Sequence, residues 1–514
     1  MTLNLLDQIG NWNPQLFREI KGRLNIGNMA IASTFSISGQ LLLFLYFSTW
    51  GWLEIFTWLS ILSVLALLVA GTYLLVSDLD KEERRGTLNF IRLSPQSAKT
   101  IFLGKVLGVP ILLYLVTILA VPLHLYAGLA AQIPLNEILC FYIAVAASCA
   151  LFYSTAMLFG LTTSWLGGFQ PWLASAMAFV VFGISWLPLM RAAGDVLHFL
   201  SPLAMLRYEL FLVDKGDFDS LVENLDKLQW FYSPVGTNIA IGLALSLLVC
   251  GTGTYWMWQG WQRRFPNPSA TVLSKRQSYL LVICCQVIFL GFALQSNAPD
   301  NTNLIFLLIL NLVMFLALIA ALTSDRQSLY DWARYRKQIV PSNQKLWRRY
   351  PLLDLIWSDK SPAVVAIALN FLSSVIILTP WALLEKPEIN EFWGVICCLN
   401  LILIYAGIAQ IFLFTKTRHH EIWAVGAVGS AILLPPAILC MLLSMPLLTL
   451  VKAHIFWLSS VFGVGFSSSL TAALGNTILL SILSQWSVLV LLNLKLRSQL
   501  KLAGQSASKA LLKA

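Results

Sequence analysis

The residues of this sequence that could carry out chemistry are few. Five histidines and eight cysteines are spread over 514 residues. They form no HExxH, Cys-x-x-Cys or other metal-ligand spacing, and no GxSxG nucleophile motif occurs. His419 and His420 are adjacent, which is more typical of a solvated pair than of a metal site. The cysteines lie inside apolar runs, as packing residues do. The sequence therefore predicts no metal site, no disulfide framework and no catalytic residues.

A lysine that follows a glycine, Gly104-Lys105, is the nearest approach to a phosphate-binding loop. ATP hydrolysis needs GxxxxGK followed by Ser or Thr, because the hydroxyl holds magnesium and the glycines let the backbone approach the phosphates. Lys99 stands where the first glycine should be, and Val106 stands where the hydroxyl is needed. We expect no nucleotide cofactor on this chain and no ATPase activity of its own.

The elements that carry these residues are long apolar segments. The chain is 58% hydrophobic and 11% charged, with a mean hydropathy of +0.75, and a helix that crosses a bilayer needs about 20 apolar residues. These numbers predict an all-α polytopic membrane protein with twelve spans. The spans are placed at residues 26–50, 52–76, 101–126, 135–164, 171–189, 238–260, 279–294, 303–322, 363–384, 392–414, 422–443 and 470–494, and the apolar stretch 455–466 is open to a further span.

The distribution of charge predicts the orientation. With the N-terminus inside, the inner segments hold 28 of the 34 lysines and arginines and 11 of the 24 acids. The positive-inside rule then favours cytoplasmic N- and C-termini. The basic residues are scattered over short loops, so a nucleic-acid partner is not indicated. Asp195 and His198 are the one outer acid–histidine pair close together in sequence.

The first inner loop, Glu82 to Pro95 (EERRGTLNFIRLSP), is the most distinctive polar stretch. Asp80 is positioned to cap a helix that starts at Lys81, and Pro95 would end it. Leu88 and Ile91 share one face of that helix. Gly86 is expected to permit close approach of a neighbour. Two interpretations stay open: a docking helix, or a solvated loop that only fixes topology.

This loop resembles the first cytoplasmic loop of type-2 ATP-binding-cassette (ABC) exporter permeases. The resemblance covers roughly residues 13–264, and a second match is the N-terminal stretch NPQLFREIKGRLN, similar to the interfacial connecting helix of that family. The loop matches at Glu82, Glu83, Arg85, Gly86, Thr87, Leu88, Leu93, Ser94, Pro95, Gly104 and Lys105, and the N-terminal helix carries an apolar stripe of Leu16, Phe17, Ile20 and Leu24.

The resemblance implies a permease subunit that moves substrate with energy from separate ABC ATPase subunits. ATP and magnesium would be bound by that partner, and the loop would be the coupling helix that docks on it. Leu88 and Ile91 would then enter a groove of the partner, with Gly86 allowing close contact. The polar rim of the docking surface would be formed by Glu82, Glu83, Arg85 and Thr87.

The predicted organisation has two halves. An interfacial helix at 1–25 precedes a six-span half at 26–264; a linker at 265–278, a second six-span half at 279–494 and a basic tail at 495–514 follow. The stretch Arg348 to Pro362 (RRYPLLDLIWSDKSP) partly repeats the first inner loop, so two degenerate halves and a chance similarity are both open. The outer stretches 198–212 and 455–470 are interpreted as re-entrant or interfacial elements.

The spans carry no acids or bases away from their ends, which argues against a proton- or sodium-coupled carrier. We therefore expect a permease of an ATP-driven exporter, with ATPase subunits, membrane lipid and other copies or chains as partners. Two other classes of function stay open from the sequence. One is a membrane-embedded acyl- or glycosyl-transferase, for which Asp195 and His198 are the candidates, and the other is an assembly scaffold.

Overall fold

The computed structural model describes residues 8–47, 51–213, 224–296, 300–324, 326–339, 351–385, 389–415, 420–443 and 474–503. These residues are almost entirely helical, and the prediction of an all-α polytopic membrane protein is confirmed. Contacts between Cα atoms divide the chain into two compact units. Unit 1 comprises Met1–Arg191, Asp195–Pro268 and Leu294–Asn297, and unit 2 comprises Ala192–Gly194, Ser269–Ala293 and Ala298–Ala514.

The first unit contains eleven α-helices in its described part, together with a short hairpin of strands Gln229–Trp230 and Ser233–Pro234. Two 3-10 helices, Ser164–Phe169 and Ala193–Leu200, accompany them; Ala193 and Gly194 of the latter belong to the second unit. The α-helices are α1 (Pro14–Arg23), α2 (Ile26–Phe47), α3 (Trp52–Leu65), α4 (Gly71–Arg84), α5 (Thr87–Arg92), α6 (Ala98–Gly108), α7 (Ile111–Ala130), α8 (Leu135–Thr162), α9 (Gln170–Ile184), α10 (Leu203–Val213) and α11 (Ile239–Arg264).

The second unit continues with eight described helices. They are α12 (Lys275–Ala293), α13 (Asp300–Leu322), α14 (Arg326–Ile339), α15 (Pro351–Trp357), α16 (Val364–Glu385), α17 (Ile389–Leu413), α18 (His420–Leu443) and α19 (Leu474–Ala503). The last helix continues nine residues beyond the predicted end of its span at 494, into the predicted basic tail. The stretches 455–466 and 455–470 lie outside the described residues.

Eleven helical segments of the described chain are long and apolar enough to cross a membrane, or up to twelve with one bent pair. The bent pair is Ala193–Leu200 and Leu203–Val213, which meet at 95° and occupy the outer stretch predicted to be re-entrant or interfacial. The predicted span 363–384 is helical, but its described apolar stretch, Val364–Pro380, is shorter than the others. Most predicted spans are thus found, with two differences at the second and third.

The second span is longer than predicted and contains a π-helical turn. It runs from Trp52 to Arg84, with the turn at Ala66–Ala70 joining α3 to α4. A π turn inserts one residue and displaces backbone carbonyls from their regular partners. Tyr153 of α8 supplies a hydrogen bond within this turn, because its hydroxyl donates to the Leu67 carbonyl at 2.9 Å.

The predicted third span, 101–126, is wrong as a single helix. The chain forms α6 and α7 with a break at Val109 and Pro110. Proline has no N–H to donate and its ring clashes with the carbonyl four residues earlier, here that of Val106. The freed Val106 carbonyl accepts a hydrogen bond from the Tyr114 hydroxyl at 2.9 Å. The break separates α6, with Gly104 and Lys105, from the membrane-length helix that follows it.

Candidate functional site

The distinctive loop begins later than the sequence predicts. Helix α4 runs without interruption to Arg84, so Asp80 does not cap a new helix at Lys81, and that prediction is wrong. Asp80 instead accepts a hydrogen bond from Arg84 Nε at 3.0 Å, one turn further along the same helix. The apolar sequence of α4 before Asp80 already forms a helix, and propagation into the charged segment needs no new nucleation.

Gly86 makes the turn between α4 and the short helix α5. Its φ is +71°, in the left-handed region that side chains with a Cβ adopt at a cost. A Cβ placed on Gly86 would have nothing within 4 Å. Gly86 is therefore required by backbone conformation, and the expectation that it permits close approach of a neighbour stays a prediction, since the described residues leave the space beside it open.

Leu88 and Ile91 face the interior of the chain. They are 1% and 6% exposed and pack in a core with residues of α4 and α11, among them Leu79, Trp261 and Phe265. The prediction that these two side chains face a partner's groove is wrong for this conformation. They are the anchors that hold α5 against the bundle.

The exposed apolar residues of the loop are Phe90 and Leu93, which are 78% and 87% exposed. They lie on the opposite side of α5 from the buried pair. Of the predicted polar rim, Glu83, Arg85 and Thr87 remain exposed. The loop therefore presents two large apolar side chains beside exposed polar ones, a composition that suits a binding surface.

Glu82, the remaining predicted rim residue, is engaged within the chain by Lys105. The Lys105 side chain is fully buried, and its Nζ lies 2.7 Å from Glu82 Oε2 and 2.6 Å from Asp78 Oδ2. Asp78 and Glu82 are one turn apart on α4, so their carboxylates share a face. A third carboxylate, Glu19 of α1, lies 3.9 Å from the same Nζ.

Two arginines of α1 complete this arrangement. Arg23 Nη2 lies 2.6 Å from Asp78 Oδ1 and its Nε lies 3.3 Å from Glu19 Oε2, while Arg18 Nη2 lies 2.6 Å from Glu82 Oε1. We call these six residues the charged cluster; with three cations and three carboxylates its formal charge is zero. It joins α1, α4 and α6, and it consists of Arg18, Glu19, Arg23, Asp78, Glu82 and Lys105.

The electrostatics of the charged cluster follow from its pairing. Burial by itself lowers the pKa of Arg18, but hydrogen bonds and negative charge from Glu19 and Glu82 outweigh burial and raise that pKa above its ordinary value. Paired and hydrogen-bonded charges avoid most of the penalty for leaving water. The cluster is thus a connection among three helices that holds only while each charge keeps its partners.

The same three carboxylates have the spacing of a metal site. One oxygen from each of Glu19, Asp78 and Glu82 lies within 4.8 Å of the others. The Lys105 ammonium already contacts two of them at hydrogen-bond distance, and a lysine is a compact point charge. The positive charge that three carboxylates require is thus supplied by three residues of the chain, Lys105, Arg18 and Arg23.

Helix α1 packs closely on α6 because α6 has glycines at positions 104 and 108. A Cβ on Gly104 would lie 2.7 Å from Gln15 Cβ, and one on Gly108 would lie 2.5 Å from Glu19 Cβ. Glycines spaced by four residues form one small face on a helix and let a second helix approach. This Gly-x-x-x-Gly spacing is visible in the sequence, and sequence reasoning used only its Gly104-Lys105 portion.

Only part of the predicted apolar stripe of α1 is buried against the protein. Leu16 is buried, whereas Phe17, Ile20 and Leu24 are half-buried. The buried face of α1 also includes Gln15 and Glu19, its polar side chains. The helix is therefore held to the protein by polar and charged contacts, in addition to its apolar stripe. At its start, Asn13 caps the helix through Leu16 N and donates to the Thr100 carbonyl at 2.9 Å.

The second unit also has a short helix before a Ser-Pro sequence, α15, in the stretch that partly repeats the first loop. Lys275 Nζ holds this turn by donating to the carbonyls of Leu355 and Pro362 at 2.7 Å and 3.2 Å and to the hydroxyl of Ser361. Leu353 and Trp357 of α15 are about half exposed. The two loops therefore share a short helix with exposed apolar residues.

The outer acid–histidine pair is built into the bent element. Asp195 and His198 are 1% and 4% exposed, with 3.9 Å between Oδ1 and Nε2. Asp195 accepts from the backbone N–H of Met190, and His198 Nδ1 lies 3.2 Å from the Arg207 guanidinium. These contacts hold the outer turn together. Arg207 and Glu209, both buried, were not singled out by sequence reasoning, although two charges within the apolar run LAMLRYELFL are a visible signal.

Comparison with known proteins adds no relative: no family model, no curated protein and no solved structure matches the chain. Function must be inferred from the site itself. Physically, the site is a pair of exposed apolar side chains on a short helix, fastened to the bundle by a buried core below and connected through α4 to the charged cluster.

Proposed function

We propose that the chain is the transmembrane permease subunit of an ATP-driven ABC exporter, and that the loop carrying α5 docks on a separate ABC ATPase subunit. In this proposal ATP and magnesium are bound by the partner, and the chain lies in the inner (plasma) membrane with both termini cytoplasmic. The charge asymmetry between predicted inner and outer segments supports that orientation. The resemblance of the loop and of the N-terminal helix to type-2 exporter permeases supports the class.

The observation that carries the proposal is the pair Phe90 and Leu93. Two large apolar side chains on a polar loop are 78% and 87% exposed, and covering them with a partner lowers the free energy because apolar surface leaves water. A lipid-facing role is disfavoured because exposed charged residues such as Glu83 and Arg85 surround them in sequence. The surface suits a protein groove with an apolar centre and a polar rim.

The mounting of α5 supports a mechanical role for this surface. Leu88 and Ile91 anchor the helix in the core, and Glu82 ties the preceding turn to Lys105 of α6. A partner that displaces Phe90 and Leu93 would therefore displace α4 and α6 rather than a free loop. This is the requirement for coupling nucleotide-driven movement to membrane helices.

The test uses the full chain and an ABC ATPase subunit recovered by co-purification with it from membranes. Leu93→Ala should weaken their association roughly 30-fold, since covering a leucine contributes about 2 kcal/mol. Phe90→Ala should do the same or more. Leu135→Ala is the matched control, because Leu135 is 48% exposed at the start of α8, at the predicted outer end.

The wild-type chain alone should show no ATP turnover and should acquire it only with the partner. If Phe90→Ala and Leu93→Ala both insert correctly into the membrane and associate with the ATPase as tightly as the wild type, the docking surface is refuted. ATP hydrolysis by the purified chain alone would refute the assignment of the chemistry to another subunit.

A further inference from the structure

Glu209 of α10 is an acidic side chain completely enclosed by the protein. It is 0% exposed, and every residue from Leu203 to Leu210 is buried. The helix belongs to the bent pair at the predicted outer side of the first unit, far in sequence from the loop that carries α5. Burial of this degree is rare for a carboxyl group unless a partner compensates its charge.

Neither carboxyl oxygen of Glu209 has a hydrogen-bond partner in the described part of the chain. The nearby Arg207 makes no hydrogen bond to Glu209. Its guanidinium donates to the Ser185 carbonyl at 2.7 Å and to the Leu187 carbonyl, toward the preceding turn. Residues two apart on a helix point to different faces. Glu209 thus faces away from the cation closest to it in sequence.

The helices packed against α10 are α3, α8 and α11, and the groups they bring are acidic or neutral. Helix α8 places Glu137, Cys140 and Tyr142 within electrostatic range of Glu209. Helix α3 has Glu54 as its one charged residue. The charged residues of α11 stand at its far end, at positions 263 and 264.

Tyr142 is oriented by a chain of hydrogen bonds that fixes its proton. Ser60 Oγ donates to the Phe56 carbonyl at 2.9 Å, so the 2.7 Å contact between Ser60 and His124 Nε2 requires the proton on Nε2. His124 Nδ1 then accepts from the Tyr142 hydroxyl at 2.8 Å. The Tyr142 oxygen retains lone pairs but has no proton to give. Tyr142 therefore does not donate a hydrogen bond to Glu209, and a carboxylate at Glu209 gains no stabilisation from this hydroxyl.

We propose that Glu209 is a proton-binding site: its carboxyl holds a proton in the folded conformation and releases that proton to water when the chain unfolds. A buried carboxylate with no donor and a second acid in range is unstable, whereas the neutral acid has no charge to desolvate and none to be repelled. Proton binding thereby favours the folded state. The inference does not depend on the proposed ATPase partner.

The first experiment is infrared spectroscopy of the purified full chain in lipid nanodiscs, between about pH 5 and about pH 9. The wild type should show the C=O stretch of a protonated carboxyl at neutral pH, and Glu209→Gln should lose it. Glu421→Gln, at an exposed acid in the second unit, should leave that band unchanged. Absence of the band from the wild type at neutral pH would overturn the proposal.

The second experiment follows the unfolding constant against pH by tryptophan fluorescence in a denaturing detergent. Unfolded Glu209 loses its proton above the ordinary glutamate range while the folded chain keeps it, so the folded state binds more protons and stability falls as pH rises. The contribution is a tenfold change in the unfolding constant per pH unit, until the folded chain also loses the proton. Glu209→Gln should remove this dependence, and Glu421→Gln should retain it.

Glutamine mimics the neutral acid in shape, so Glu209→Gln should fold. A variant that fails to fold would show that the site needs a charge and would overturn the proposal. Stabilisation of the wild type by sodium or potassium chloride that is absent in Glu209→Gln would identify a metal-cation site and would also overturn it.

Discussion

Replacing Lys105 by methionine tests whether the charged cluster holds the first unit together. Methionine keeps the length and apolar stem of lysine but removes the ammonium group, which lies 2.6 Å from Asp78 and 2.7 Å from Glu82. Breaking a buried pair by removing one partner costs about 3 to 5 kcal/mol, because the remaining charge is left uncompensated. Arg18 still faces Glu82 and Arg23 still faces Asp78, but these side chains are 50% and 28% exposed and compensate only in part. We therefore expect a loss of about 3 kcal/mol.

The assay is the unfolding constant of the full chain in a denaturing detergent, where about 3 kcal/mol is a change of more than a hundredfold. The matched control is Arg84→Met, which removes an ion pair with Asp80 whose arginine side chain is 53% exposed. Exposed pairs of this kind contribute at most about 1 kcal/mol. Adding Glu82→Gln to Lys105→Met should restore part of the stability, because it removes a carboxylate that has lost its buried cation.

Equal effects of Lys105→Met and Arg84→Met would refute this reasoning. The cluster would then be solvated enough that its charges act independently, and its part in mounting the loop would be lost. If the double variant Lys105→Met/Glu82→Gln is less stable than Lys105→Met alone, then the Glu82 carboxylate without its lysine is not the source of the lost stability.

Three further outcomes follow from the same geometry. Gly108→Leu should detach α1 and speed tryptic cleavage at Lys21, because its side chain would overlap Glu19, whereas Gly39→Leu, with open space around it, should leave the rate unchanged; equal rates would contradict the close packing. Gly86→Ala should destabilise the chain by about 1 kcal/mol, since φ is +71°, and a neutral result in the unfolding assay would refute the backbone explanation. Lys105→Ala should create a manganese site detectable by paramagnetic resonance, because the three carboxylates then lose their buried ammonium, and absence of binding would show that Arg18 and Arg23 alone neutralise them.

The sequence predicts the spans well because bilayer-length apolar runs leave few alternatives. Where it is wrong, one residue overrides the pattern: Pro110 divides an otherwise continuous apolar segment. The continuation of α4 through Asp80 to Arg84 was missed for a similar reason. A good capping residue predicts a helix start only if the preceding segment has already ended.

The face of α5 that is buried could not be predicted from the spacing of its apolar residues. Leu88 and Ile91 share one face, but Phe90 and Leu93, the residue that follows the six-residue helix, supply a second apolar face. Spacing does not say which face turns inward. That choice depends on the core formed by residues such as Trp261, which is more than 160 positions away in the chain.

The charged cluster was likewise beyond reach of local patterns, since it joins positions 19, 78, 82 and 105. Each of these residues is unremarkable in its own segment. Asp78 and Glu82 share a helix face, which sequence can predict, but the arrival of Glu19 requires the packing of α1 on α6. The spacing of Gly104 and Gly108 was the available signal for that packing.

The arrangement of these parts has a mechanical consequence for unit 1. Helix α5 has two attachments: a core contact through Leu88 and Ile91, and the turn at Gly86 that joins it to α4. Helix α4 is in turn bound to α6 and α1 by the charged cluster, in which Lys105 lies 2.6 Å from Asp78 and 2.7 Å from Glu82. Close-packed elements joined in this way move together, because packed interfaces shift between discrete arrangements and do not deform gradually. If a partner binds at Phe90 and Leu93 as proposed, its binding energy would therefore act on the Arg84 end of the second span and on α1 at once. The cluster links the proposed docking surface to a helix of membrane length, and the free energy needed to break the cluster is what makes that linkage stiff.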